Sequence, residues 1–423
     1  MPATYRTIRK LLAVYFVWLL LEGAVRKWVL PGFSSQIFVV KDLLLWGTFV
    51  WSLSELQREN RTRLPLRIVI FATFLFTALL LLTPISVSSL IGFRYYLAGL
   101  PLLVLVPYLI EDTDDLERVG RWALMVTLPL LALAVAQYGS PPDSAINRYV
   151  GGINVPDVAV FGIDAAGSRA RVTSTFSYIS PYGAYLQTMS VVAWVVMLVS
   201  TRRQLVGAGM VGLVLGSMAL TGARGAAAYG LVVSGVLLLF GIWQGALTRI
   251  AGGLLFAGAL LLALGPFFLG EATDLLLARA GQGHDFGIRV VAFAVAPFTT
   301  LSDAEILGTG MGTTSVAASE VLGTGAGDEA TFSEFDHDRV GIELGIVAYS
   351  ILFAFKISLL VLTVALFFRA RTFTSRTWIL GSFMVQILSG LVIPFHNTIA
   401  NTSYMGAVGL YFWLRDWTLV RNR

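Results

Sequence analysis

The sequence predicts an all-α fold, a polytopic bundle of about 12 transmembrane spans with a large loop on its outer face. Three observations predict it. Of 423 residues, 56% are hydrophobic and only 13% are charged, against about 25% charged in an ordinary soluble domain, and the mean hydropathy is +0.77. A soluble globular enzyme is excluded. Apolar runs such as Leu11 to Leu21 and Leu254 to Leu264 are unbroken, whereas a membrane β-barrel alternates apolar and polar residues in segments of about ten. The basic residues, finally, sort by side once spans are drawn.

A crossing needs about 20 apolar residues, and spans fall near 9–24, 36–56, 67–84, 93–110, 121–139, 181–200, 204–221, 225–243, 250–270, 340–366, 377–394 and 403–420. With a cytoplasmic N-terminus, 18 of the 30 Lys and Arg lie on the inner side, and Lys41 and Lys356 lie within spans. This is the bias of the positive-inside rule, and it makes both termini cytoplasmic. Arg6, Arg9 and Lys10 precede an apolar run as in a signal peptide. Glu22-Gly-Ala-Val-Arg26-Lys27 nevertheless lacks a small-x-small cleavage pattern, so an uncleaved first span is expected.

The net charge of +5 reports topology and gives no ground for a nucleic-acid partner. Absence of cysteine excludes disulfides, thiolate metal sites and Cys nucleophiles. Residues 1–423 read as a single integral membrane domain with two long connections, 140–180 and 271–339, both facing outward. Loops this long without function or disorder are uncommon. Tyr149, Phe161, Phe176 and Tyr178 in the first, and Phe286, Phe332 and Phe335 in the second, favour order. Asp285 to Phe298 is expected to lie along the membrane surface as an amphipathic helix. No cytoplasmic segment is long enough for a nucleotide-binding domain, and no repeat of fixed period is present.

Ionisable residues near the outer ends of the spans are costly unless paired or functional, and four groups stand out. Leu220-Thr-Gly-Ala-Arg224-Gly225 is a hairpin of small residues whose one charge, Arg224, either holds a phosphate in a two-pronged contact or snorkels to anchor the helix end. Arg289, after Gly281-Gln-Gly-His284-Asp285-Phe286, opens the surface helix. It either binds an anionic substrate or anchors that helix to lipid headgroups; His284 reads as an ordinary loop histidine. The third group runs from Thr331 to Gly345 at the start of the tenth span. Acidic residues there suit the helix dipole, with Ser333 as a cap and Arg339 paired with Glu343 at i, i+4. Gly341 and Gly345, at i+4 and i+8 from His337, clear side chains from its face. The fourth is Ile393-Pro394-Phe395-His396-Asn397, where Pro394 ends or kinks the helix and His396 either supports acceptor binding or belongs to a helix-terminal polar cluster.

Other signals are weaker. The runs Gly308-Thr-Gly310-Met-Gly312 and Gly323-Thr-Gly325-Ala-Gly327 lack the Lys-Ser/Thr ending of a phosphate loop and read as flexible turns. Asp336-His337-Asp338 has donors for a divalent ion, but three histidines without His-x-x-x-His spacing argue against zinc. No metal or other cofactor is expected. Gly-x-Ser-x-Gly is absent, so no Ser-His-Asp set is assigned. Lys41 and Asp42, adjacent in the second span, point to an internal structural contact.

Taken together, the outer Arg between two spans, a large outer loop with a second Arg and a His opening the next span resemble the O-antigen ligase family and related lipid-linked glycan polymerases. The match runs from about Arg169 to Tyr349 and rests on Arg171-Val-Thr-Ser-Thr-Phe176, Thr221-Gly-Ala-Arg224-Gly, Gly308-Thr-Gly310 and His337 through Gly345. Glu22 through Pro31 looks like a segment of a polysaccharide-biosynthesis branch of these proteins. Asp338 departs from the Asn or Ser that usually follows the family's histidine.

The resemblance implies a GT-C-like helical bundle in the bacterial cytoplasmic (inner) membrane that acts on its outer face. It implies a glycan donor on undecaprenyl pyrophosphate and a glycan or lipid-core acceptor. Arg224 and Arg289 would bind the pyrophosphate, and His337 would orient or activate the acceptor hydroxyl. Arg171, His396 and Asp338 are further candidates for substrate contact.

The alternative from another class, a polysaccharide or lipid transporter or flippase, predicts charged or broken helices near the bilayer midplane in two matching halves. The halves of this sequence do not match, and its polar residues collect at one face. A scaffold protein of a polysaccharide export complex gives no reason for two ordered outer loops.

Overall fold

The computed structural model describes residues 3–82, 85–150, 160–161, 169–200, 204–248, 250–259, 295–296, 298–300, 305–314, 336–389 and 397–421. These residues are almost wholly helical. In chain order they form α1 (Ala3–Ala24), a π-helical turn (Val25–Val29) and a 3-10 turn (Pro31–Phe33), then α2 (Ser34–Arg58), α3 (Asn60–Leu82), α4 (Val87–Leu97), α5 (Leu102–Leu109) and α6 (Thr113–Gly139). A two-residue antiparallel ladder, β1 (Val160–Phe161) with β2 (Arg169–Ala170), precedes α7 (Ile179–Val199), α8 (Gln204–Leu220) and α9 (Arg224–Trp243). The remaining helices are α10 (Ile250–Ala259), α11 (Asp336–Arg369), α12 (Phe373–Ile387) and α13 (Thr398–Arg421).

Among the described residues, seven helical stretches are long and apolar enough to cross a membrane: Pro31–Arg58, Asn60–Leu82, Val87–Leu109, Thr113–Gly139, Ile179–Val199, Arg224–Trp243 and His337–Arg369. The protein is therefore a helical membrane protein. Apolar runs set the helices, and local chemistry sets several of their ends. Ser86 and Ser89 form a reciprocal capping box at the start of α4. Asp112 accepts the Asp115 amide at 2.7 Å and caps α6. Asn397, from the polar cluster after the eleventh predicted span, accepts the amides of Ile399 and Ala400 at 3.1 and 3.2 Å and caps α13.

The chain divides into two compact units. The first comprises Met1–Ser52, Leu109–Gln282 and Arg371–Met384. Its central helix is α7, with 15 of its 21 residues buried, against α6, α8 and α9. Close approach is bought with small residues: a Cβ on Gly207 would lie 2.5 Å from the Met197 amide, and one on Gly120 would lie 3.2 Å from Val196. In this core the Trp194 indole N–H donates to Ser234 Oγ at 2.9 Å.

The adjacent pair Lys41 and Asp42 resolves into an internal contact of Lys41. Its ammonium, 1% exposed, lies 2.5 Å from the Glu22 carboxylate and 3.6 Å from the Phe38 ring centroid. The other Glu22 oxygen accepts from Arg26 at 3.2 Å. This buried triad ties α1, the π-helical turn and α2 together.

The second unit comprises Leu53–Tyr108, Gly283–Ala370 and Val385–Arg423. Two of its apolar helices are interrupted. A turn at Ala98–Pro101 separates α4 from α5, and here α13 packs closely, with Asn401 donating to the Tyr95 carbonyl at 2.9 Å. In α11 the backbone leaves the helix at Gly345, with φ 73° and ψ 170°.

Candidate functional site

In the first unit, Arg171 follows β2 and opens the buried segment Val172–Phe176. Its Nε donates to the carbonyl of Thr221 at 3.2 Å, three residues before Arg224. Thr221 is fully buried; its hydroxyl donates to Met218 O at 2.7 Å and accepts the Ala223 amide at 3.1 Å. Gly222 supplies the left-handed step (φ 62°) that turns the chain. Arg224 is the first residue of α9, half-buried. The positive end of a helix disfavours a cation and favours an anion. An arginine at that position, with a second arginine fastened to the same turn, makes a corner suited to an anionic group.

The segment bearing Arg171 is fixed from several sides. Tyr149 donates to the Arg171 carbonyl at 2.9 Å; burial pushes this phenol's pKa up, against the pull of Arg171, so it stays a donor. The Gln137 carboxamide oxygen accepts the amides of Thr173 and Ser174 at 3.2 and 2.7 Å. From the π-helical turn, the Lys27 ammonium donates to Thr173 Oγ1 at 3.1 Å and Ser174 O at 2.6 Å. Ser174 is the one non-glycine residue with positive φ (50°) among the described residues. Burial lowers the Lys27 pKa from 10.5 to about 7. The sequence placed Lys27 in the Glu22–Pro31 segment but assigned it no role.

In the second unit, His337 lies in the first turn of α11 and is buried. The expectation that Gly341 and Gly345 clear its face is overturned. Gly345 is not a helical position, and the imidazole packs edge-on against Tyr349 and Phe353, with ring centroids 6.0 and 5.8 Å away. Nδ1 of His337 lies 2.9 Å from the Tyr349 hydroxyl. Neighbouring Asp338 accepts from the Thr300 hydroxyl at 2.6 Å, a structural contact that ties the helix start to residue 300.

Nor do the glycines of Gly308-Thr-Gly310-Met-Gly312 form a loose turn. All three have positive φ, and the segment is bonded to the break in α11: Thr309 N to Ile342 O at 2.8 Å, Gly310 N to Glu343 O at 3.1 Å and Ile346 N to Glu305 O at 2.8 Å. The buried Glu343 carboxylate accepts from the Tyr96 hydroxyl at 2.8 Å and from the Thr314 hydroxyl and amide at 2.6 and 3.2 Å. Tyr96 and Thr314, remote in the chain, are partners that the sequence did not offer.

Arg289, His284, His396, Ser333, most of the expected surface helix and the second glycine run, 323–327, lie outside the described residues. Among the described residues, no three His, Asp or Glu gather as metal ligands would. No protein-family model matches the chain, and neither the curated proteins nor the solved structures contain a match.

Proposed function

We propose that the protein is a membrane glycosyltransferase that moves a glycan from undecaprenyl pyrophosphate to an acceptor hydroxyl on the outer face of the bacterial cytoplasmic membrane, as in O-antigen ligation or exopolysaccharide polymerisation. The observation that carries this reading is the Arg171–Thr221–Arg224 corner, two arginines fixed to one helix N-terminus. Outside the cytoplasm there is no ATP, so the driving energy resides in the sugar–pyrophosphate bond. Negative charge grows on the departing pyrophosphate, and guanidinium groups in a water-poor site stabilise it as it forms. The role of Arg289 rests on the family resemblance alone.

A sugar hydroxyl is too weak an acid to be deprotonated by imidazole beforehand. His337 therefore accepts its proton as the new glycosidic bond forms. This chemistry needs no metal. Membrane lipids surround the bundle, and both termini are cytoplasmic in this reading.

The two interrupted helices in the second unit favour a second reading, since broken helices are frequent in transporters of polysaccharide or lipid. One experiment separates the two. Purified protein is given a lipid-linked oligosaccharide, a panel of repeat-unit and lipid-core acceptors, and a chelator, and the release of undecaprenyl pyrophosphate is followed. Release by the native chain that disappears in His337→Ala supports the transferase. Loss of release on chelation alone counts against metal independence, and no release from folded protein with any acceptor moves the weight to transport.

A further inference from the structure

We propose that Tyr349 is a positioning residue that sets the tautomer of His337 and so decides which ring nitrogen takes the proton. Twelve residues of unbroken α-helix span about 18 Å, farther than an imidazole and a phenol reach together. The two groups nonetheless meet at 2.9 Å, because the chain between them leaves the helix at Gly345 and is fastened there to the segment around Gly308. The pair is buried, with His337 6% and Tyr349 2% exposed. Phe353 holds the imidazole edge-on and stacks on Tyr349 at 11°. The fold thus contains a built device for holding one imidazole against one hydroxyl.

A neutral imidazole donates from one nitrogen and accepts at the other, and the partner of the first fixes the role of the second. The transferase reading selects the direction across this contact: for Nε2 to be the base, Nδ1–H donates to the Tyr349 oxygen, which leaves the lone pair on Nε2. As the acceptor oxygen bonds to the anomeric carbon, its proton passes to Nε2. The bond from that carbon to the pyrophosphate oxygen breaks, and its electron pair leaves with the pyrophosphate. The resulting imidazolium keeps its Nδ1–H on Tyr349, and Nε2 later releases its proton to water. This inference rests on the transferase reading for the choice of tautomer and its catalytic consequence, whereas the His337–Tyr349 contact stands by itself.

The test exploits the three histidines of the chain. Protein labelled with 15N-histidine in lipid nanodiscs is compared by NMR with His337→Gln, whose missing signals identify His337, at a pH where the ring is neutral. The native protein is expected to show a protonated Nδ1 and a bare Nε2. Tyr349→Phe, isosteric and checked for native thermal stability, is expected to shift the ring toward Nε2–H. It should also lower kcat for pyrophosphate release by about 10–100-fold, the scale on which orienting partners of metal-bound histidines act, with KM for the donor unchanged. Phe353→Leu keeps the hydroxyl and should keep the native tautomer. A native Nε2–H ring, an unchanged tautomer in Tyr349→Phe, or a shifted tautomer with undiminished kcat each overturns the proposal. Absence of release from the native protein defeats the transferase reading instead, and the tautomer comparison still decides whether Tyr349 positions His337.

Discussion

Gly308 and Gly345 meet backbone to backbone. A Cβ on Gly345 would overlap the Gly308 amide and lie 2.5 Å from Ile306 O, and one on Gly308 would lie 2.6 Å from Glu343 O. Gly345 also holds φ 73° and ψ 170°, a region almost closed to other residues and costing them about 1–3 kcal/mol. Gly345→Ala is therefore expected to lower thermal stability by at least that amount. Gly406→Ala, where a Cβ meets nothing within 4 Å, serves as the control. Equal melting temperatures for the two variants would show that the junction is not tight.

The buried triad makes an asymmetric prediction. Glu22 faces both Lys41 and Arg26, so Glu22→Leu removes the one carboxylate these two cations share, whereas Lys41→Met leaves Glu22 with Arg26. Breaking a buried pair costs about 3–5 kcal/mol. Glu22→Leu should reach that range and Lys41→Met should fall below it. Chemical denaturation of the purified variants gives the order, and a larger loss in Lys41→Met contradicts this account of the cluster.

Lys27 should make stability depend on pH. Burial lowers its pKa from 10.5 to about 7 in the fold, so between these values the unfolded chain holds one proton more than the folded chain. Stability then rises with pH across that window, with a limiting slope of about 1.4 kcal/mol per pH unit. The contribution is least below pH 7, where the fold must carry the charge. Thermal unfolding from pH 6.5 to 9 should show this climb in the native protein and lose it in Lys27→Met; parallel curves would place the amine in a wetter site than the geometry indicates.

On the proposed function, Arg224→Ala should reduce the rate of pyrophosphate release by about 10²–10³-fold, the scale of losing one preorganised donor to a developing anion. Arg224→Lys should recover only part, because an ammonium keeps the charge and loses the planar fork. Arg171→Lys should also be impaired, having lost the Nε contact with Thr221. A folded Arg224→Ala protein with a native rate would remove this corner from the donor site.

Composition and apolar run length suffice to show a helical membrane protein and the course of five of its helices. The predicted spans 36–56, 121–139, 181–200, 204–221 and 225–243 lie within a few residues of α2, α6, α7, α8 and α9; only the start of α6 is displaced further. That information is local: apolar run length is matched to the bilayer, and small or capping residues mark the ends. The hairpin before Arg224 was legible for the same reason. The remaining contacts depend on packing between separate stretches. Gly345 looked like another helical glycine, and only the packing of Gly308 against it showed the break. Tyr349 looked like an aromatic on an apolar helix, and only that break brings it to His337. Lys27 and Glu343 found their partners at Thr173, Ser174, Tyr96 and Thr314, far away in the chain. Helices follow from hydrogen bonds and burial within one stretch of sequence, whereas such contacts exist only once separate stretches have packed.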